Sequence, residues 1–416
     1  MEKEVIVIGG GIIGLCTAYY LQQDGHQVTV IDKGNMDRGA SFVNAGYLTP
    51  SHIIPLAAPG MINKGLKWMF NSASPFYMQP RLDADFLKWA WHFKRSSTKQ
   101  KVAKAIPVIK DINLLSKELY TELHEQGELG DFQFEKKGLL MLYKTAKAAD
   151  SELEVAEIAT REGLENKILD REALLALEPG IAPSVRGAVH YLCDAHTTPD
   201  EFMGKMIAYL ENAGVRILKN TEIDRMTIAK GTVKSAHSGE MSFHADHFVV
   251  CSGAWSAKLA RQAGTNLSLQ AGKGYRINVS RELPISYPAV LCESKIAVTP
   301  MSGFTRLAGT MEFSGINHHI RTERVEAIAV QSASYYNGLH IEEVEKQDAQ
   351  CGLRPVSPDG LPYIGALPGL KNAAIATGHA MMGWSLGPAT GKLIAEIMGE
   401  RPTSLDLTPF EPGRRF

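Results

Sequence analysis

The chain has 416 residues, enough for two domains with separate cores. Its formal net charge of -1 lacks the basic footprint of a nucleic-acid partner, and no clean apolar run of about 20 residues predicts a spanning helix. Five scattered cysteines without a C-x-x-C pair suit free thiols in a reducing compartment. The histidine pairs His244/His247 and His318/His319 lack companions at ligand spacing, so they are read as surface or strand residues and no metal site is expected.

The first element is Val5–Ile8, a β-branched run of the kind a buried parallel strand shows. Gly9, Gly11 and Gly14 follow at G-x-G-x-x-G spacing. That spacing permits a tight turn, a backbone approach to a pyrophosphate and close packing of the next helix. The helix is predicted from about Gly11 to Asp24, with its positive end on the phosphates. A second strand, Gln27–Ile31, ends at Asp32, 18 residues past Gly14, where an acid can hold a ribose hydroxyl. Strand, helix, strand and acid in register specify a dinucleotide-binding unit. The apolar stretch from Val5 to Leu21 carries three glycines and follows MEKE, which lacks a positive n-region, so it is read as fold and not as a targeting segment.

Residues 33–60 are rich in Gly, Ser, Asn and Pro with little period, as functional loops are. Ser41, Asn44, Ala45 and Gly46 offer small side chains and backbone amides for a flat cofactor, while Phe42, Val43 and Tyr47 point to burial. With SFVNAG and SHIIPLAAPG following the opening unit, the N-terminal third resembles the D-amino acid dehydrogenases. These belong to the FAD-dependent superfamily of D-amino acid oxidase and glycine oxidase. The resemblance implies FAD, which the glycine turn alone does not distinguish from NAD. It also implies a Rossmann-like FAD-binding domain of glutathione-reductase type with an inserted α+β substrate domain on an antiparallel sheet. The expected boundaries are 1–80, 196–265 and 346–416 for the FAD-binding domain, and 81–195 and 266–345 for the substrate domain.

Residues 61–95 interleave Trp68, Phe70, Phe76, Tyr77, Phe86, Trp89, Trp91 and Phe93 with Lys64, Lys67, Arg81, Lys88, Lys94 and Arg95. A similar segment occurs in the dehydrogenases, which pass electrons to a membrane carrier. This implies a quinone-type acceptor and a peripheral contact on the inner face of the cell membrane for an otherwise cytoplasmic protein. The i, i+4 pair Trp89 and Phe93 equally suits a core-facing stripe. Helices are predicted within 100–130 and from Ala146 to Leu177, with strands from Phe132 to Tyr143 around the turn Lys137-Gly138.

Thr198 is a predicted N-cap, followed by Pro199, Asp200 and Glu201, and the helix is expected to stop before Gly214. A strand Val215–Leu218 follows, then Glu222-Ile223, where the superfamily places a backbone contact to adenine. FVVCSGAWS reads as a buried strand ending in small residues, and the resemblance carries Ser252, Gly253 and Trp255 into the cofactor site. Lys273-Gly274-Tyr275-Arg276 opens a strand, as in relatives with a KGY motif. Strands Ile296–Thr299 and Phe304–Gly309 flank a Gly303 turn, and Arg306 on the second can contact a carboxylate at two points.

GLRPVSPDGLPYIG (352–365) and ATGHAMMGWSLGPATGKLIAEIMG (376–399) match the superfamily closely. A strand Ala373–Thr377 is predicted, then Gly378 and a helix from about Trp384. Gly383, Gly387 and Gly391 leave one face bare for close approach. The resemblance extends the cofactor set to Ile12, Ile13 and Lys33 near the first turn. At the C-terminal turn it adds Gly378, His379, Met382, Gly383, Trp384 and Ser385. It makes Arg354 the first choice for a substrate carboxylate, with Arg306 or Tyr275 assisting. His52 and His379 are candidates to accept the amine proton or position the ring. Some sarcosine oxidases attach flavin to a cysteine near Cys351. The spacing from Cys351 to Asp359 is one residue longer here, so noncovalent FAD is expected. The implied reaction is FAD-dependent oxidative deamination of a free D-amino acid, a proline or hydroxyproline type included. The alternatives are a glycine-, sarcosine- or proline-type oxidase using O2 and a non-catalytic flavin-binding subunit.

Overall fold

The computed structural model describes residues 2–59, 76–79 and 81–416. Trp68, Phe70, Lys64 and Lys67 therefore lie outside the described residues. The strand Glu4–Ile8 forms as expected and pairs in parallel with Gln27–Ile31 on one side and His247–Val250 on the other. These lie within a six-stranded sheet ordered Arg216–Leu218, Gln27–Ile31, Glu4–Ile8, His247–Val250, Ala373–Thr377, Tyr363–Ala366. Only the last pair is antiparallel. Strand alternation then sorts the core. Val5 and Val7 pack against the helices Ile12–Gln23, Pro199–Asn212 and Gly387–Met398. Ile6 and Ile8 face a three-stranded antiparallel sheet, Arg225–Ala229, Thr232–Ser238 and Met241–Phe243.

The second layer is a nine-stranded sheet among the described residues, running from Gln350–Val356 through Gln270–Val279, Phe304–Phe313 and Ile296–Met301 to Asn166–Leu169. Its pairings are antiparallel except where Ala289–Leu291 meets Leu139–Tyr143 and Phe76–Met78 meets Phe304–Phe313. Gln350–Val356 lies in a segment the sequence assigned to the FAD-binding domain, yet it is an edge strand of this larger sheet. The chain thus passes from the nine-stranded sheet into the six-stranded sheet just after the residues that carry Arg354.

Three local expectations need correction. The Ala146–Leu177 region is not one helix. Ala146–Arg161 stops at Gly163, whose φ of +79° reverses the chain into the strand Asn166–Leu169, and a short helix Arg171–Leu177 follows. Phe134–Glu135 and Leu139–Tyr143 form strands but do not make a hairpin with each other. The first pairs with Ala195–Thr197 and the second with Gly187–Tyr191. The helix after Thr198 forms, but the Thr198 hydroxyl does not cap it. It donates to Gln133 Oε1 and accepts from the Ser302 amide.

The C-terminal helix begins at Gly387, three residues later than expected, and crosses Ile12–Gln23 at very short range. A Cβ on Gly391 would lie 2.5 Å from the Cys16 carbonyl, and one on Gly387 would lie 2.7 Å from Ile12 Cγ1. Gly204, also helical, has nothing within 4 Å of the place a Cβ would take. We expect Gly391→Val to destabilise the fold by about 1–3 kcal/mol through overpacking. Gly204→Ala should be neutral or stabilising by up to about 1 kcal/mol. Urea midpoints for the two variants check this, and equal midpoints would contradict it.

Candidate active site

The first glycine turn is built by close approach. Gly9 has φ +114°, and a Cβ there would meet the Cys251 carbonyl oxygen at 2.5 Å. A Cβ on Gly14 would lie 1.8 Å from Gly9 O, so the helix can pack onto the turn only with glycine there. Gly11 is the N-cap and has no side chain to offer, so Ser41 Oγ accepts the Ile12 amide instead, at 2.9 Å. Asp32 accepts the Gly10 and Gly34 amides, each at 2.7 Å, which holds its carboxylate at the end of the second strand.

A cleft of about 400 Å³ opens over this turn. Of the expected cofactor residues, Gly9, Gly11, Ile12, Ile13, Asp32, Lys33, Ser41, Asn44, Ile223, Ser252, Gly253 and Trp255 line it. From the C-terminal turn, His379, Gly383 and Trp384 complete the wall. Others support it from behind. Gly14 and Gly46 (φ +75°) allow close packing, and Ala45 O accepts the Thr299 hydroxyl. Gly378 (φ +81°) lies against the Tyr363 ring, Met382 packs on the main core, and Ser385 Oγ accepts the Thr49 amide.

The cleft suits a dinucleotide on two counts. Glycines 9–11 leave the backbone bare where phosphates would approach. At the far end His379 is 1% exposed, its Nε2 lies 3.0 Å from Thr390 Oγ1, and its Nδ1 is buried with no hydrogen-bond partner among the described residues. A buried unsatisfied ring nitrogen on a cleft-lining residue is a candidate partner for a polar group of a bound molecule. Burial lowers the His379 pKa to about 3, so the ring is neutral at neutral pH.

Arg354 lines the same cleft. Its Nη1 donates to Thr310 O at 2.8 Å, and the guanidinium lies over Gly274, where a Cβ would come within 2.3 Å of Cζ. Among the described residues no carboxylate pairs with it. Burial alone lowers its pKa to about 10, which still leaves a cation at neutral pH. Gly274 of the KGY stretch thus leaves the room that the Arg354 guanidinium occupies, which the spacing did not reveal.

Three expected substrate-site residues lie outside the cleft. Arg306 is fully buried and its donors are taken: Nε by Asn278 Oδ1, Nη1 by the Phe42 and Asn44 carbonyls, and Nη2 by both Asp200 oxygens. It fixes the 42–44 loop. Tyr275 donates to Glu312 Oε2 at 2.7 Å on the opposite face of its strand from Arg354. His52 lies beside Ser51, and burial lowers its pKa to about 4. Ser51 in turn gives its amide and hydroxyl to Asp194, which is fully buried. Sequence reasoning missed His318, Lys258, Phe42 and Ala380, which also line the cleft. It also missed Asp194. Phe42 and Ala380 sit within the stretches SFVNAG and ATGHAMMG, but His318, Lys258 and Asp194 carry no motif and acquire their places only through long-range packing.

Comparison with known proteins gives the family and the fold. A family model described as FAD dependent oxidoreductase matches residues 4–397. The D-amino acid dehydrogenase of Agrobacterium fabrum is 30% identical over 411 residues, 97% of each chain. That of Vibrio atlanticus is 29% identical over 405 residues, 95% of each chain. The crystal structure of glycine oxidase from Geobacillus kaustophilus has a TM-score of 0.79 at 22% identity, covering 100% of this chain and 99% of that one. This last likeness concerns the fold. Among the described residues no group of His, Cys, Asp or Glu is placed to hold a metal ion.

Asp194, outside the cleft lining, gives the fold a pH dependence. Burial pushes its pKa up from 3.8 to about 7, against the opposing pull of Ser51, Cys193 and Lys117. The folded state therefore prefers the neutral acid. That contribution is complete below the unfolded pKa and is lost as pH rises through about 7. Asp194→Asn keeps a neutral acceptor for Ser51, so we expect a smaller fall in melting temperature between roughly pH 4 and 7. An unchanged slope in thermal scans across that range would count against Asp194 as its source.

Proposed function

Because the chain belongs to the FAD-dependent oxidoreductase family, we propose that it oxidises a free D-amino acid at Cα, with Arg354 holding the substrate carboxylate. The observation that supports this most is Arg354 itself, a cation on the cleft wall with no carboxylate partner among the described residues. A desolvated cation is unfavourable until an anion meets it, and a planar guanidinium matches a carboxylate at two points.

FAD, when bound, supplies the hydride acceptor. The glycine turn, Asp32 and Ser41 would hold its phosphates and ribose, and the turn around His379 would hold its ring end. Cys351 is absent from the cleft lining and directs its Sγ toward the His318 carbonyl, which favours noncovalent binding. The chain's own contribution is orientation: a carboxylate fixed on Arg354 leaves Cα one bond away to be set against the acceptor. His379 is neutral and acts by hydrogen bonding, not as a base. The Cα–H bond breaks with its electron pair leaving as hydride, and the nitrogen lone pair forms the C=N bond. Water then converts the imino acid to a 2-oxo acid and ammonia, or a cyclic imine persists. Two electrons pass onward to a quinone-type acceptor.

A second surface bears on that acceptor. In the helix Ala84–Ser96, Phe86, Trp89 and Phe93 are buried, and Trp89 Nε1 donates to Val356 O at 2.9 Å. The opposite face exposes Leu87 (56%) and Trp91 (58%) among Lys88, Lys94 and Arg95. Both readings of this segment thus find a face. Among the described residues no helix is long and apolar enough to cross a membrane. An apolar strip edged with cations suits an anionic lipid surface, where a quinone would be found.

Flavin spectroscopy, kinetics and vesicle binding test these readings. Anaerobic addition of D-amino acids should bleach the flavin absorbance, and the flavin should leave the protein on acid precipitation. Arg354→Ala should raise KM by about 100-fold or more, as loss of a charge-assisted pair implies, with flavin still bound. Loss of flavin instead would reassign Arg354 to the cofactor. Separately, the protein should sediment with anionic vesicles but not neutral ones, and Leu87→Glu with Trp91→Glu should abolish this. Quinone-dye reduction should exceed peroxide formation, and the reverse would identify an O2-using oxidase.

A further inference from the structure

The loop between the strand Phe304–Phe313 and the helix Thr322–Ala333 carries His318, which stacks on Trp255 with ring centroids 6.3 Å apart and planes 15° apart. The Lys33 ammonium sits 3.2 Å from the centroid of the same indole. All three side chains line the cleft, and Lys33 and His318 are exposed. Trp255 follows the cofactor-sheet strand His247–Val250, whereas His318 hangs from the larger sheet. The contact therefore bridges the two layers at the wall of the cleft.

His318 is set there by a buried ion pair. Lys273 Nζ, 1% exposed, is 3.1 Å from Glu312 Oε1. It also donates to Asn317 Oδ1 at 2.7 Å and to His319 O at 2.8 Å. These two bonds tie the residues on either side of His318 and use the ammonium's remaining protons. A lysine is expensive to bury, and here its head group holds a loop against the cleft.

We propose that His318, positioned by Lys273, is a cofactor-binding residue that closes a clasp with Trp255 and Lys33 over bound FAD. The proposal rests on the assignment of FAD to this cleft. FAD leaves only when the stack opens, so the clasp governs how fast the holoenzyme loses its cofactor. The offset ring pair and the cation over the indole supply the holding force.

The test is the rate at which the holoenzyme releases FAD after dilution, read as rising flavin fluorescence. His318→Ala should release FAD about tenfold faster than wild type, the size expected for losing one stacked contact. His318→Phe keeps a flat ring and should stay close to wild type. Asn317→Ala removes one tie to Lys273 and should also speed release. Release from His318→Ala within about twofold of wild type would overturn the clasp, as would equal rates for His318→Phe and His318→Ala, the stack being worth less than the tenfold above. A wild-type rate for Asn317→Ala would overturn the positioning role of Lys273. Wild-type protein that binds no flavin would instead overturn the cofactor assignment itself.

Discussion

The architecture depends on one close helix crossing. Gly387 and Gly391 let the C-terminal helix lie against Ile12 and Cys16 of the first helix without interposing a side chain of their own. Residues from opposite ends of the chain thereby share a boundary. The two turns that precede these helices, at Gly9–Gly11 and His379–Trp384, both line one cleft as a result. The amides that open these helices are capped within the fold, Ile12 by the Ser41 hydroxyl and Ala389 by the Ser116 hydroxyl, which fixes both turns in place at the cleft wall.

Behind the second turn stands another long-range tie. Arg414 makes a bidentate pair with Asp359, at 2.8 and 2.9 Å, and donates to the Leu361 and Pro362 carbonyls. Its guanidinium also covers the Tyr363 ring, 4.1 Å from the centroid. Tyr363 is the ring against which Gly378 rests, with a Cβ there only 2.8 Å from Cδ2. The turn carrying His379 is thus held by packing on one side and by a charge-assisted fork on the other. Such support holds the buried His379 imidazole in the cleft wall although its Nδ1 has no partner among the described residues.

How much of this could be read beforehand depended on whether the signal was local. The opening strand–turn–helix unit was legible because glycine spacing, β-branched runs and a terminal acid lie within about thirty consecutive residues. The bare face at Gly387 and Gly391 was legible for the same reason, as a four-residue period. Arg306 and Arg354 show the limit. Both are strand arginines in the larger sheet, and residue type does not distinguish them. Arg306 points where Phe42, Asn44, Asn278 and Asp200 converge, so its donors are spent on holding a loop. Arg354 points over Gly274 into the cleft and keeps donors free for a ligand. That difference lies in which chain segments close over each strand, which no single window contains. His318 was dismissed as surface for a related reason. It is exposed, but its neighbours are tied down by a buried lysine that is distant in sequence.

The charges left at the substrate end carry a further consequence under the proposed reaction. Hydride loss from Cα requires a neutral amine, because the nitrogen lone pair forms the new double bond. Once a substrate carboxylate pairs with Arg354, the two charges largely cancel in the field felt by the amine. What remains is desolvation, and desolvation disfavours the ammonium form. The described lining residues near Arg354 do not oppose it: Leu353, Pro355 and Ala380 are apolar, and His379 is held neutral. An acid placed there would have paired with Arg354 and stabilised the ammonium, defeating both binding and chemistry. The same lack of a carboxylate that leaves Arg354 open to substrate therefore also prepares the amine to lose its proton, so one feature of the cleft serves recognition and reaction together.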